Sequence, residues 1–244
     1  MTEQATHQHQ HAHGDTGQHW REPDRVRDFV ARMDARAQER LPQFELMTQL
    51  LGRDGADVLR ILDLGAGYGA EASVFLAAFP NASAVLVDGS EEMIRIGGER
   101  LAEFEGRYRY VTWDFGDGAL PDELDGPFDA VISSAAIHHL PEDALKRLYG
   151  EVLALLAPGG AFLNLDLVLP PDEGLVERYR ELTQAEQASR DEPPQPSNVR
   201  RHHSNLETLD RHLGWIREAG FEQVDCFWKR LGNALFGGYR PDVA

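Results

Sequence analysis

The sequence predicts an α/β fold in which parallel strands carry a ligand site along their carboxyl ends. Three observations predict it. An apolar run from Val58 to Leu64, interrupted only by Arg60 and Asp63, reads as a buried strand. A glycine-rich turn, Gly65 to Gly69, leads from it into a segment of helical spacing, Glu71 to Phe79. Two further strand patterns then end in an acid: Ala84 to Asp88, and Arg107 to Trp113 followed by Asp114. A strand, a tight glycine turn and a helix N-terminus in succession let a ligand lie against bare backbone.

The identity of that ligand turns on one residue. Gly65, Gly67 and Ala70 fit the dinucleotide pattern G-x-G-x-x-G/A, and Asp88 lies at the distance expected of a ribose acceptor. Asp63 argues against a dinucleotide, because an acid directly before the glycines repels a pyrophosphate and suits a cation. S-adenosyl-L-methionine carries a sulfonium and an ammonium, which a nearby anion favours in a partly desolvated pocket. The block Asp63-Leu64-Gly65-Ala66-Gly67-Tyr68-Gly69 resembles the first motif of the class I S-adenosylmethionine-dependent methyltransferases. That resemblance implies a Rossmann-like seven-stranded sheet with an antiparallel last strand, an N-terminal helical cap, and a lid inserted after strand 5. It also implies cofactor contacts at Asp63, Gly65, Ala66, Gly67, Tyr68 and Gly69.

The bulk properties narrow the partners. A chain of 244 residues suits one α/β domain with additions. A formal charge of −17 disfavours a nucleic-acid backbone, which needs a positive footprint, although Arg200, Arg201, His202 and His203 form a local basic run. Cys226 is the only cysteine, which excludes an intramolecular disulfide and a cysteine-based zinc site. No apolar run is long enough to span a bilayer and the start lacks a signal-peptide pattern, so the expected compartment is the cytoplasm, with no membrane partner. Oligomeric state stays open between monomer and homodimer.

Along the chain, residues 1–19 form a polar tail with histidines at 7, 9, 11, 13 and 19, expected to be disordered; such histidines bind nickel, copper or zinc weakly or act as solvated spacers. Residues 20–55 read as the helical cap. Val26, Phe29, Val30 and Met33 share one face, and Leu41, Phe44, Leu46, Met47, Leu50 and Leu51 follow a break near Pro42. Related methyltransferases cover the cofactor pocket with such helices, which points to Trp20, Arg21 and Phe29 as lining residues.

The core is expected over 56–169. A carboxylate at a strand end can accept hydrogen bonds from both ribose hydroxyls, and the resemblance carries that role onto Asp88. Gly89 follows, Ser90 is a plausible helix cap, and Met93 is a candidate to pack on adenine or simply in the core. The family's acceptor for the adenine amino group maps onto Asp114, with Phe115 flanking the ring. Phe128 to Ser134 reads as the fourth strand, and Ala135 to Leu140 resembles the motif in which backbone approaches the cofactor, at Ser134, and side chains face the substrate. His138 and His139 there are candidate general bases, since imidazole titrates near neutral pH, or else they order the loop. No core metal site is expected.

Leu156 to Val168 resembles the family's L-x-P-G-G-x-F turn and fifth strand, with Gly159 and Gly160 in the turn and with Asn164 and Asp166 on one face as candidates for substrate contact. Residues 170–205 resemble the lid of small-molecule methyltransferases: Pro170 and Pro171, an amphipathic helix from Glu173 to Arg190, then Pro193, Pro194 and Pro196. Tyr179, Arg200, Arg201 and His203 are its candidates for substrate contact, and inward-turned arginines favour a carboxylate or phosphate. Residues 206–244 supply a last helix, Leu206 to Phe221, and two closing strands, Val224 to Lys229 and Ala234 to Tyr239. The run from Cys226 to Gly238 resembles the tail of small-molecule members, including the carboxymethyl-S-adenosylmethionine synthase group.

The implied reaction is transfer of a methyl group from S-adenosylmethionine to an O, N, S or C nucleophile of a small molecule. Three alternatives stand beside it: a different reaction on S-adenosylmethionine or a derivative, a nicotinamide oxidoreductase, and a non-catalytic cofactor-binding module.

Overall fold

The computed structural model describes residues 20, 22–189 and 205–242. Seven strands form one sheet: β1 (Arg60–Leu64), β2 (Ser83–Asp88), β3 (Tyr108–Thr112), β4 (Phe128–Ser134), β5 (Leu156–Leu167), β6 (Glu222–Arg230) and β7 (Asn233–Tyr239). Their spatial order is β3-β2-β1-β4-β5-β7-β6. Only β7 runs against the rest, paired antiparallel to both β5 and β6. The order reverses between β1 and β4, and the carboxyl ends at such a switch point leave a crevice for a ligand.

Side-chain alternation along the strands divides the core in two. Leu62, Leu64, Val131, Phe162 and Phe236 face α5 (Glu142–Leu155) and α7 (Leu209–Ala219), and meet Leu148, Tyr149, Val152, Trp215 and Ile216. Ile61, Ile132, Leu163 and Leu235 face the other layer and meet Phe44 and Met47 of α2 (Ala37–Leu50) and Phe75 and Leu76 of α3 (Ala70–Ala78). A smaller cluster joins Val26 and Val30 of α1 (Pro23–Ala35) to Tyr68 in the glycine turn and to Met93 and Ile96 of α4 (Glu91–Arg100). Helix α1 is thereby fastened to the glycine turn and to α4, with Trp20 and Phe29 packed against the cluster, their rings 4.9 Å apart.

Several expected boundaries shift. The cap breaks at Arg36, not near Pro42, which lies inside α2. Buried Phe44 and Met47 hold that helix against the core, and tertiary packing outweighs one lost backbone bond. Val58 is 78% exposed, so β1 begins only at Arg60. The last helix starts at Leu209, capped by the Thr208 hydroxyl, which accepts from the Arg211 N–H. Pro158 and Gly159 fall within β5 at an irregularity, where the register passes from Phe128–Leu156 to Ala130–Ala161 and Gly159 has φ +69°. The helix expected within the lid, α6, spans Glu173–Ser189. No helix among the described residues is long and apolar enough to cross a membrane.

Candidate cofactor and acceptor site

The glycine turn leaves β1 at Gly65 and enters α3 at Ala70, and its geometry requires glycine. Gly65, Gly67 and Gly69 have φ of +70°, +54° and +79°. A Cβ on Gly65 would lie 2.3 Å from that of Ala136, so the turn and the loop after β4 touch through bare backbone. The Gly65 and Ala66 amides donate to the Val87 carbonyl, both at 2.9 Å, which ties the turn to β2.

Asp88 ends β2 beside it. Its Oδ2 accepts from the Gly67 amide and its Oδ1 from the Ser90 amide, each at 2.8 Å. Burial raises its pKa, those two amides oppose the rise, and Asp114 adds to it. Ser90 caps α4 through Met93 and also donates from its hydroxyl to the Trp20 carbonyl at 2.6 Å, joining the cap to the site. Met93 is buried, and its sulfur would lie 3.8 Å from a Cβ on Gly67. Asp114 packs against Gly89, where an added Cβ would meet its side chain at 3.1 Å. Phe115 lies near Gly65 and edges Trp113, with centroids 5.2 Å apart. All the expected cofactor residues from Asp63 through Ser134 thus gather around the ends of four adjacent strands, β1 to β4.

Asp63 is the anomaly of the site. It is fully buried, on the face of β1 toward α3, and neither carboxylate oxygen completes a hydrogen bond. Burial above all, then the charges of Glu71 and Asp88, push its pKa well above the usual carboxylate range; only the Ala72 N–H, in the first turn of α3, offsets this. An isolated buried anion is costly, so the position calls for either a proton or a cation.

Two residues that sequence reasoning missed complete this corner. Arg40 reaches from α2 to Glu71 Oε1 at 3.0 Å and to the Ser134 hydroxyl at 2.8 Å, and lies over the Phe44 ring. Tyr110 Oη donates to the Gly67 carbonyl at 3.0 Å, and Gly97 makes room for it, since a Cβ there would sit 2.0 Å from that oxygen. Arg40 carries no sequence signal, being one of several arginines in the cap. Tyr110 offered one, in the alternation along β3: it stands mid-strand opposite Leu86, which precedes Asp88 by two residues on the same face.

Asp166 organises the residues expected on the acceptor side. Its Oδ1 lies 2.6 Å from His138 Nδ1 and its Oδ2 accepts from the His138 amide at 3.1 Å. Burial would raise its pKa, but the His138 imidazole and the hydrogen bonds from His138 and the Leu167 amide outweigh this and hold it below the ordinary value. Asp166 and His138 are both buried, so Asp166, on β5, anchors the loop after β4 from beneath. The His139 ring packs 4.0 Å from that of His138, and the His139 carbonyl accepts from Asn205 Nδ2 at 2.7 Å. Asn164 is fully buried on the α5/α7 side, with neither side-chain polar atom paired. Tyr179 packs on Lys229 of β6, whose Nζ is 5.2 Å from its ring centroid, at the outer edge of the sheet. Arg200, Arg201 and His203 lie outside the described residues, as do Arg21 and the N-terminal histidines. Among the described residues no three His, Cys, Asp or Glu side chains are placed to hold a metal.

Behind Asp166, Tyr149 Oη and His212 Nδ1 are 2.7 Å apart in the core. Burial lowers the His212 pKa to about 4. An imidazole held neutral in the fold but free to charge when unfolded contributes stability that is whole above about pH 6.5 and is lost as pH falls toward 4, at about 1.4 kcal/mol per unit. Thermal melts between pH 7 and 4 should therefore show a steeper acid limb for the native chain than for His212→Gln. Parallel limbs would assign the acid sensitivity elsewhere.

The fold is Rossmann-like, with the candidate site at the switch point of its sheet, and comparison with known proteins shows what the chain resembles. Residues 61–160 match the family described as a methyltransferase domain. The chain is 34% identical over 122 residues to a ubiquinone/menaquinone biosynthesis C-methyltransferase of Dinoroseobacter shibae, covering 49% of this chain and 47% of that protein. It is 29% identical over 214 residues to a malonyl-[acyl-carrier protein] O-methyltransferase of Geobacter sulfurreducens, covering 88% of this chain and 73% of that one. An O-methyltransferase family protein from Burkholderia thailandensis shares the fold with a TM-score of 0.67 at 18% identity, over 92% of this chain and 62% of that one. The chain thus spans about half the length of the first relative and under two thirds of that structure. The match to a methyltransferase domain covers residues 61–160, less than half of the chain. The residues present fit S-adenosylmethionine, the cofactor of the methyltransferases the chain resembles: a buried carboxylate for a cation, a turn that admits close backbone approach, and a strand-end acid for a ribose.

Proposed function

We infer that the chain transfers the methyl group of S-adenosylmethionine to an O, N, S or C nucleophile of a small molecule. The observation that carries this reading is Asp63, whose buried, unpaired oxygens suit a cation and oppose a pyrophosphate. When bound, the cofactor supplies an already activated methyl group on a sulfonium. The chain's task is then alignment and exclusion of water. Asp88 and the glycine turn hold the nucleoside, Asp114 and Phe115 flank the adenine, and the cap closes the pocket through Arg40 and Trp20.

On the acceptor side, Asp166 fixes His138, so that a proton-accepting role falls to His139 rather than to the buried partner of a carboxylate. A base is required only where the nucleophile arrives protonated. The acidic net charge favours a free metabolite or a natural-product scaffold over a nucleic acid. The domain limits follow the same reading: cap 20–55, core 56–169, lid 170–205 and closing elements 206–244.

The test is formation of S-adenosylhomocysteine from S-adenosylmethionine in the presence of pooled small molecules, read by mass spectrometry. Acceptor-dependent product from at least one pool, reduced tenfold or more in His139→Gln when the acceptor carries a protic nucleophile, is the expected result. Methylation confined to added protein or RNA would overturn the small-molecule assignment.

A further inference from the structure

Asp63 has a consequence for how the cofactor binds, and the inference rests on the cofactor reading above. Its carboxyl is enclosed by β1, α3 and the neighbouring strands, with no water access and no hydrogen-bond donor completing either oxygen. The groups that face it are predominantly negative or neutral. Glu71 stands above it on α3, and Asp88 at the end of β2. Tyr110 on β3 and Tyr68 in the turn both stay protonated at neutral pH, each held up first by burial. From β4 the register partner is Ile132, with Ser133 and Ser134 following. Among the described residues the nearby cation, Arg40 on α2, is engaged by Glu71 and the Ser134 hydroxyl, and so answers Glu71 rather than Asp63. The first turn of α3 adds the Ala72 N–H and the partial positive charge of a helix end, which burial outweighs.

We propose that the Asp63 carboxyl carries a proton in the cofactor-free protein and loses it to solvent when the cofactor's cationic amino-acid end binds, so that cofactor binding releases one proton. The O–H bond of the carboxyl breaks, the proton goes to buffer, and the carboxylate left behind pairs with the incoming ammonium. The cation takes over the neutralising role of the proton, and the pocket never holds an uncompensated charge. The sign of the pH dependence follows. Below the pKa of Asp63 in the free protein and above its value in the complex, affinity rises with pH, by at most about tenfold per unit for one proton. Above the free-protein value it levels off.

Calorimetric titration of the full chain with S-adenosylhomocysteine at pH 6.5, repeated in buffers of different ionisation enthalpy, counts that proton. This ligand carries the ammonium without the sulfonium, and an α-amino group with pKa of about 8 is already protonated there. The expected result is release of about one proton by the native chain and none by Asp63→Asn, which keeps the shape of the side chain without its charge. Infrared difference spectra on ligand addition should show loss of the C=O band of a protonated carboxyl, a readout on the native chain that holds even if the variant fails to fold. Binding without proton release, or with no carboxyl band lost, overturns the inference and leaves the cofactor assignment standing. Absence of binding overturns both.

Discussion

Asp88→Ala should weaken binding of S-adenosylhomocysteine by at least about a hundredfold while shifting the thermal midpoint little. A carboxylate at a strand end that accepts from two ribose hydroxyls makes two charge-assisted hydrogen bonds, each of about 1.5 kcal/mol or more. Together they amount to about 3 kcal/mol, more than the ~2.7 kcal/mol that a hundredfold represents. The variant also frees the Gly67 amide, so the turn loses the contact that sets its width. Stability changes little because two terms oppose each other. The Gly67 and Ser90 amides lose their acceptor, but a carboxylate whose ionisation is disfavoured by burial and by Asp114 is removed. Titration and melting of the same preparation separate the two effects. Unchanged affinity would take the ribose away from Asp88.

Gly65→Ala should damage both folding and binding. The new methyl would meet Ala136 Cβ at 2.3 Å and Phe115 Cε2 at 3.3 Å, on a backbone with φ +70°. Neither neighbour is the far end of a flexible chain. Ala136 belongs to the loop that Asp166 anchors through the His138 amide, so relief of the clash requires that loop to shift. Left-handed backbone and overpacking each cost about 1 to 3 kcal/mol, giving a loss of roughly 4 kcal/mol in chemical denaturation. In whatever fraction remains folded, cofactor affinity should fall at least tenfold, because the displaced surface is the one the ligand lies against. A native-like midpoint with native-like affinity would show that the turn and the β4 loop are not in rigid contact.

Much of the fold is legible in the chain because it depends on local rules. Phe128 to Ser134 forms β4 at the expected limits, and Ser90 caps α4 as its position before two acids implies. The clustering of the candidate cofactor residues is legible for the same reason, since glycines and strand-end acids are set by the backbone path. The acceptor half is less so. Asn164 and Asp166 share a face as alternation requires, yet alternation does not reveal that the face is closed by α5 and α7, which buries both. Nor does it reveal that Asp166 takes His138 as its partner. Arg40 shows the same limit: its reach to Glu71 and Ser134 spans 31 and 94 residues of sequence, and only the packing of α2 on α3 brings them together. Pro42 misled for a related reason, since a helix pressed onto a core tolerates an exposed proline that an isolated helix would not.

The central claim is that the glycine turn, Asp63 and Asp88 form a pocket for a sulfonium nucleoside rather than a dinucleotide. Side-by-side calorimetric titration of the full chain with S-adenosylmethionine, S-adenosylhomocysteine and NADH tests it most directly. The account predicts saturable binding of the first two at one site per chain and no heat from the third. Binding of NADH alone would contradict it and return the turn to the dinucleotide class.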